Sequence, residues 1–302
     1  MRTYLDCFPC FLRQALDAAR FATADEQVHA TAVQRVLRLA AEMDIRQPPP
    51  VMGQQIHRLI RQITGKADPY RQQKHLSNEL ALALYSELTR DVEEAPNPLQ
   101  TALRLAIAGN ILDFGVYSSL ERAYVERGIA VALKADFDQR ELPSFIDQVE
   151  QARDILYLGD NAGEIVFDRL LIEKLPREKV TFVVKGSPVV NDATMEDAEI
   201  AGLTEMVDVI DNGSDGPGTI LESCSTAFRE RFNQADLIIA KGQGNYESLS
   251  GEDQQMFFVL KAKCPVIARD LDCEIGEMVL RRSRAFREGF VTQGEEKTCA
   301  RL

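Results

Sequence analysis

Five short apolar runs fill the second half of this chain: DILYLGD from Asp154, KVTFVVKG from Lys179, MVDVIDNG from Met206, ADLIIAKGQG from Ala235 and CPVIARDL from Cys264. Each ends in glycine or a polar residue, and helical patterns separate them. Runs that are apolar throughout belong to strands buried on both faces, and alternation with helices implies a mostly parallel sheet covered on both sides. The first half has no alternating run of this kind before about residue 150. It reads as helices instead: CFLRQALDAARFA, EQVHATAVQRVLRLAAEM, QPPPVMGQQIHRLIRQITG, DPYRQQKHLSNELALALYSELTRDVEEA and NPLQTALRLAIAGNILDFG all carry apolar residues at helical spacing. Asn97 before Pro98 is a natural cap, and Gly65 a natural stop. The expected fold class is α/β: an all-helical domain over residues 1–150, an α/β domain over 151–281 and a polar tail over 282–302.

Charge and hydropathy narrow the function classes. The 302 residues carry a formal net charge of −12, which repels nucleic acid and anionic membranes. No run reaches the roughly 18 apolar residues of a membrane span. Asp6 interrupts the stretch where a secretory signal would need an apolar core. A cytoplasmic protein with a small-molecule partner, and with neither nucleic acid nor membrane, is the expectation. The 6 cysteines are too sparse for a disulfide scaffold.

Ligands of open parallel sheets bind beyond the carboxyl ends of the strands. After the first run come Gly159, Asp160 and Asn161. After the second come Lys185 and Gly186, then Asn191 and Asp192. Asp211 and Asn212 follow the third; Lys241, Gly242, Gln243, Gly244 and Asn245 the fourth; Arg269 and Asp270 the fifth. Asp160, Asn161 and Asp192 offer oxygen donors, which hard ions such as Mg²⁺ and Mn²⁺ prefer. Lys241 would meet a phosphate as a point charge, and the backbone around Gly242 and Gly244 would approach it closely. Each residue also has a plain structural reading, since Asp and Asn at strand-to-helix turns commonly cap helices. Asn110 and Asp113 share a face of an otherwise apolar helix, which suits a pocket edge or a helix end closed by Gly115. Cys7 and Cys10 form the one Cys-x-x-Cys pair, readable as packed thiols, a redox pair or half of a zinc site to which Cys264 or Cys273 would add. His29, His57 and His75 are scattered.

Taken together, GDNAGEIVFD, KGSPVVNDAT, KGQGNYESL, GNILDFG, DPYRQQKHLSN and CFPC occur in an order that resembles the damage-control metal-dependent phosphatases, also called acidic-residue methyltransferase-like. The likeness runs from Cys7 to about Leu280. It implies a helical domain on a Rossmann-like α/β domain, and hydrolysis of small phosphate esters such as sugar phosphates or damaged phosphorylated metabolites. It implies a divalent ion (Mg²⁺, Mn²⁺, Co²⁺ or Ni²⁺) held by Asp160, Asn161 and Asp192, and phosphate contact from Lys241. Lys185, Asn110 and Asp113 match family elements near the pocket, with Gly242, Gly244 and Asn245 in the lysine's own element. Glu164 matches the next acid. Glu164, Asp113 and Asp192 are the candidates for general base. The alternative is a non-catalytic metabolite- or nucleotide-binding protein using the same crevice, because fold does not fix function.

Overall fold

The computed structural model describes residues 1–112, 122–135 and 140–284. Asp113, Gly115 and most of the expected tail, residues 285–302, lie outside them. The first half folds as α1 (Phe8–Ala22), α2 (Glu26–Glu42), α3 (Pro49–Thr64), α4 (Arg71–Glu93), α5 (Pro98–Ala108), α6 (Arg122–Lys134) and α7 (Leu142–Gln151). The punctuation acts where the sequence places it. Asn97 accepts a hydrogen bond from the Gln100 N–H at 3.1 Å, and Gly65 closes α3 with φ 66°, a left-handed angle that glycine adopts without a Cβ clash.

The second half alternates: β1 (Ile155–Leu158), α8 (Glu164–Ile172), β2 (Val180–Val184), α9 (Met195–Ile200), β3 (Asp208–Asp211), α10 (Thr226–Gln234), β4 (Leu237–Lys241), α11 (Gly242–Leu249), β5 (Met256–Lys261), α12 (Pro265–Leu271) and β6 (Met278–Arg282). The strand order is β3-β2-β1-β4-β5-β6. All neighbours are parallel except β6, which is antiparallel to β5. One expectation fails here. CPVIARDL is not a strand: Pro265 occupies the first turn of α12, where its missing N–H has no partner to lose. The fifth parallel strand is MFFVLK, just upstream, so Arg269 and Asp270 sit in a helix and not at a strand end.

Strand parity decides which side chains meet which helices. Ile155, Tyr157, Phe182, Leu237, Ile239 and Phe257 face one side, in a single apolar cluster with residues of α4–α9. Leu156, Leu158, Ile238, Ala240 and Phe258 face the other, against α10–α12. Helices α1–α3 form a third cluster around Phe11, Val36, Met52 and Ile56. That cluster is tied to the α/β half by Asp215, which accepts from Gln54 Nε2 at 2.8 Å and from Arg58 Nη2 at 2.6 Å. No helix among the described residues is long and apolar enough to cross a membrane.

Candidate active site

The order in which strands are added reverses between β1 and β4, which are themselves parallel. From β1 the sheet grows to β2 and β3 on one side, and from β4 to β5 and β6 on the other. The crevice beyond the carboxyl ends of these two central strands is where ligands bind in open α/β sheets. Asp160 and Asn161 follow β1 there, and Lys241 with Gly242 ends β4. The loop after β2 folds back onto this point. Asn161 and Asp192 form an antiparallel bridge, with the Ala162 N–H donating to Asn191 O at 2.9 Å and the Ala193 N–H to Asp160 O at 2.8 Å. Val190, just before, takes φ 47°, rare for a β-branched residue, and packs against the α1–α3 cluster. Asp160 and Asp192, 32 residues apart in sequence, are thus neighbours in space together with Asn161.

Their side chains are nearly enclosed, and the contacts orient them. Asn161 Nδ2 donates to Asp160 Oδ2 and to Glu164 Oε2, each at 3.0 Å. Its amide nitrogen is fully used, so its oxygen is the end free to serve as a ligand. Asn110 Nδ2 donates to the same Glu164 oxygen at 3.0 Å. Gly242, with φ 78°, makes room for Asp160: a Cβ there would lie 1.9 Å from Asp160 Oδ2. Gly244 instead lies against Gly218. Asn245 Nδ2 donates to Lys241 O at 2.7 Å and to Gly159 O at 3.3 Å, joining the ends of β4 and β1.

The two lysines lie deeper than the sequence suggested. Lys241 shares strand parity with Leu237 and Ile239, so it points toward α5 and α8. Its Nζ donates to Glu164 Oε1 at 2.7 Å, Asp168 Oδ1 at 2.7 Å and Ala106 O at 2.9 Å, and the residue is 0% exposed. Burial alone would lower its pKa; the Asp168 and Glu164 charges more than offset that and raise it. Tyr157 OH adds a donation to Asp168 Oδ1 at 2.9 Å. Lys185 lies 3.4 Å from Asp192 Oδ2 and donates to Gly218 O.

The charge pattern suits a cation. Asp160, Glu164, Asp168 and Asp192 are all buried, against the two buried ammonium groups of Lys185 and Lys241. With every group ionised, two negative charges remain uncompensated, which matches one divalent ion. Burial first, then the charges of Glu164 and Asp192, push the Asp160 carboxyl well above its ordinary range, a situation that a bound cation reverses. Among the described residues no three His, Cys, Asp or Glu side chains are grouped to hold a metal. The crevice set differs in kind, being two carboxylates and an amide, and oxygen donors of this sort fit hard ions that retain water.

Several participants were not legible in the sequence. Asp168 and Tyr157 enter through the packing of α8 on β1. Lys263, exposed just beyond β5, acts with Lys185 to lower the Asp160 pKa; placing β5 correctly would have put it on the same rim. Cys7, Cys10 and Cys264 influence one another electrostatically. The Cys7 thiol is pushed up to about 11, first by burial, with smaller contributions from Glu247, Cys264 and Cys10. Cys7, Cys10 and Cys264 are free thiols.

Comparison with known proteins shows the family. The sequence model of the damage-control phosphatase ARMT1-like domain matches residues 3–279. A protein of Methanocaldococcus jannaschii is 38% identical over 91% of this chain and 93% of its own length. Damage-control phosphatases of Pyrococcus horikoshii and Archaeoglobus fulgidus are 36% and 35% identical, over 94% and 90% of this chain and 99% and 96% of theirs. The crystal structure of a DUF89 family protein from Pyrococcus horikoshii superposes with a TM-score of 0.85 at 33% identity, covering 94% of this chain and all of that one.

Proposed function

Because the chain belongs to the damage-control phosphatase ARMT1-like family, we propose that it hydrolyses small phosphate monoesters with a divalent ion held by Asp160, Asn161 and Asp192. The family supplies the phosphatase activity; the ion and the substrate class rest on the crevice. The observation that carries the reading is the Asn161–Asp192 bridge, which sets oxygen donors from two loops at the β1/β4 switch point.

A divalent ion bound there would offset charge on a phosphoryl oxygen and acidify a water. The protein's own groups do the rest. Glu164 and Asp160 fix the Asn161 amide with its oxygen outward. Lys241 works from beneath: by bonding both Glu164 and Asp168 it holds the floor of the site in one geometry. Lys185, beside Asp192, and Lys263, on the rim, add positive charge near the Asp160 carboxylate that would offset developing negative charge on a phosphate. Near-complete enclosure of the donors and of Lys185 and Lys241 keeps the local dielectric low, so these buried charges act more strongly than in water.

The test is to strip the protein with chelator and assay p-nitrophenyl phosphate and a panel of sugar phosphates, returning Mg²⁺, Mn²⁺, Co²⁺ or Ni²⁺ singly. Turnover restored by metal and lost in Asp160→Ala and Asp192→Ala is the expected result. A folded wild-type protein that turns over nothing with any metal would shift the reading to a binding protein.

A further inference from the structure

Two loops carry the candidate ligands, and both are gripped a second time from α4. Beyond Asn161 the first loop runs to Gly163, whose N–H donates to Asn78 Oδ1 at 2.6 Å. Beyond Asp192 the second runs to Thr194, whose N–H and hydroxyl donate to Asp197 Oδ2 at 2.9 and 2.8 Å. Asn78 Nδ2 donates to Asp197 Oδ1 at 2.9 Å. One carboxamide therefore closes a ring that starts and ends at the Asn161–Asp192 bridge.

The ring is rigid for identifiable reasons. Asn78 is fully buried in mid-helix, an unfavourable place for asparagine by propensity; its amide oxygen reaches the loop after β1 and its amide nitrogen the first turn of α9. Lys74, one helical turn earlier, places Nζ 3.0 Å from Asp197 Oδ2 and 3.1 Å from Asp68 Oδ2. An ionised Asp197 makes its bonds from Asn78 and Thr194 charge-assisted, the stronger kind. Gly163, at φ 76°, presses its backbone on the same turn: a Cβ there would lie 2.7 Å from Ser77 Cβ.

We propose that Asn78, backed by Asp197 and Lys74, is a positioning residue that sets the separation of Asp160 and Asn161 from Asp192, an inference resting on the metal-phosphatase reading. Asn78 touches neither metal nor phosphate in this role. It makes α4 part of the tuning of the site, acting behind the ligands as hydrogen-bonded partners of metal-binding groups do.

The full-length wild type, Asn78→Ala and Asn78→Asp are compared in three measurements: Mn²⁺ affinity by calorimetry, kcat and KM for p-nitrophenyl phosphate with Mn²⁺, and hydrogen exchange of residues 159–166 and 190–197. Asn78→Asp keeps an oxygen for Gly163 but sets a carboxylate against Asp197. In both variants Mn²⁺ affinity and kcat fall on the order of 10- to 100-fold, while KM moves far less. Exchange accelerates in the two loops and not in β1 or β4. Folded variants with wild-type Mn²⁺ affinity and kcat, or exchange accelerated uniformly across the protein, would overturn the inference. If the wild type neither binds Mn²⁺ nor turns over substrate, the parent reading fails and loop exchange decides alone: acceleration confined to both loops keeps the clamp, and unchanged exchange removes it. If Asn78→Ala does not fold, Thr194→Val, which deletes one bond to Asp197, carries the same measurements.

Discussion

Lys241 Nζ lies 2.7 Å from Glu164 Oε1, joining the last residue of β4 to the first of α8, with both side chains shut away from solvent. Replacing Lys241 by methionine would keep much of the volume but leave Glu164 and Asp168 buried without their cation. Breaking a buried pair from one side costs about 3–5 kcal/mol. Urea titration of Lys241→Met is expected to show a loss of that order, and a variant as stable as wild type would show that the pair does not hold α8 to β4.

Gly242→Ala tests the space beside Asp160. The added methyl cannot coexist with Asp160 Oδ2 in its present place, and the left-handed backbone adds a penalty of about 1–2 kcal/mol. The expected outcome is near-complete loss of metal-stimulated hydrolysis in a protein that still unfolds cooperatively. Retained turnover would mean that Asp160 need not sit where it does.

Metal binding should appear as stability. An ion that binds the folded state alone adds about 2.7 kcal/mol at about 100 times its Kd. Differential scanning calorimetry should therefore show Mn²⁺ raising the Tm of the chelator-treated protein, and no such rise in Asp160→Ala or Asp192→Ala. Equal rises in all three proteins would place the stabilising ion elsewhere.

His57 supplies a pH dependence remote from the crevice. It is buried in α3, Nε2 has no hydrogen-bond partner among the described residues, and burial pushes its pKa from 6.5 down to about 4. The unfolded chain thus binds a proton that the folded chain refuses between about pH 6.5 and 4. Stability falls as pH is lowered through that window, by up to about 3 kcal/mol. Urea midpoints measured from pH 7 to 4 should decline less steeply in His57→Gln; parallel slopes would assign the decline to other groups.

What the sequence made legible follows from the range of each interaction. ILYL, TFVV, VDVI and LIIAK are strands because their apolar character is local, and once their order alternates with helices the carboxyl-end crevice follows. PVIA and FFVL show the limit: a short apolar run fits either element, and a proline compatible with a first turn decided the matter. Asp160, Asn161 and Asp192 could be singled out because each follows a strand. The inward aim of Lys241 depends on parity combined with which helices cover which face. The Asn78–Asp197 contact spans 119 residues, and no pattern within either segment announces the other.

The buried floor of the site has a consequence for synthesis. Lys241 closes it by reaching back 135 residues to the Ala106 carbonyl, and the chain is made from its N-terminus. Helices α4 and α5 and the carboxylates of α8 all leave the ribosome before the ammonium that pairs with them. Until β4 arrives, Glu164 and Asp168 have strong reason to stay in water, and α8 has no settled seat. The floor of the site is thereby among the last parts that the growing chain can complete.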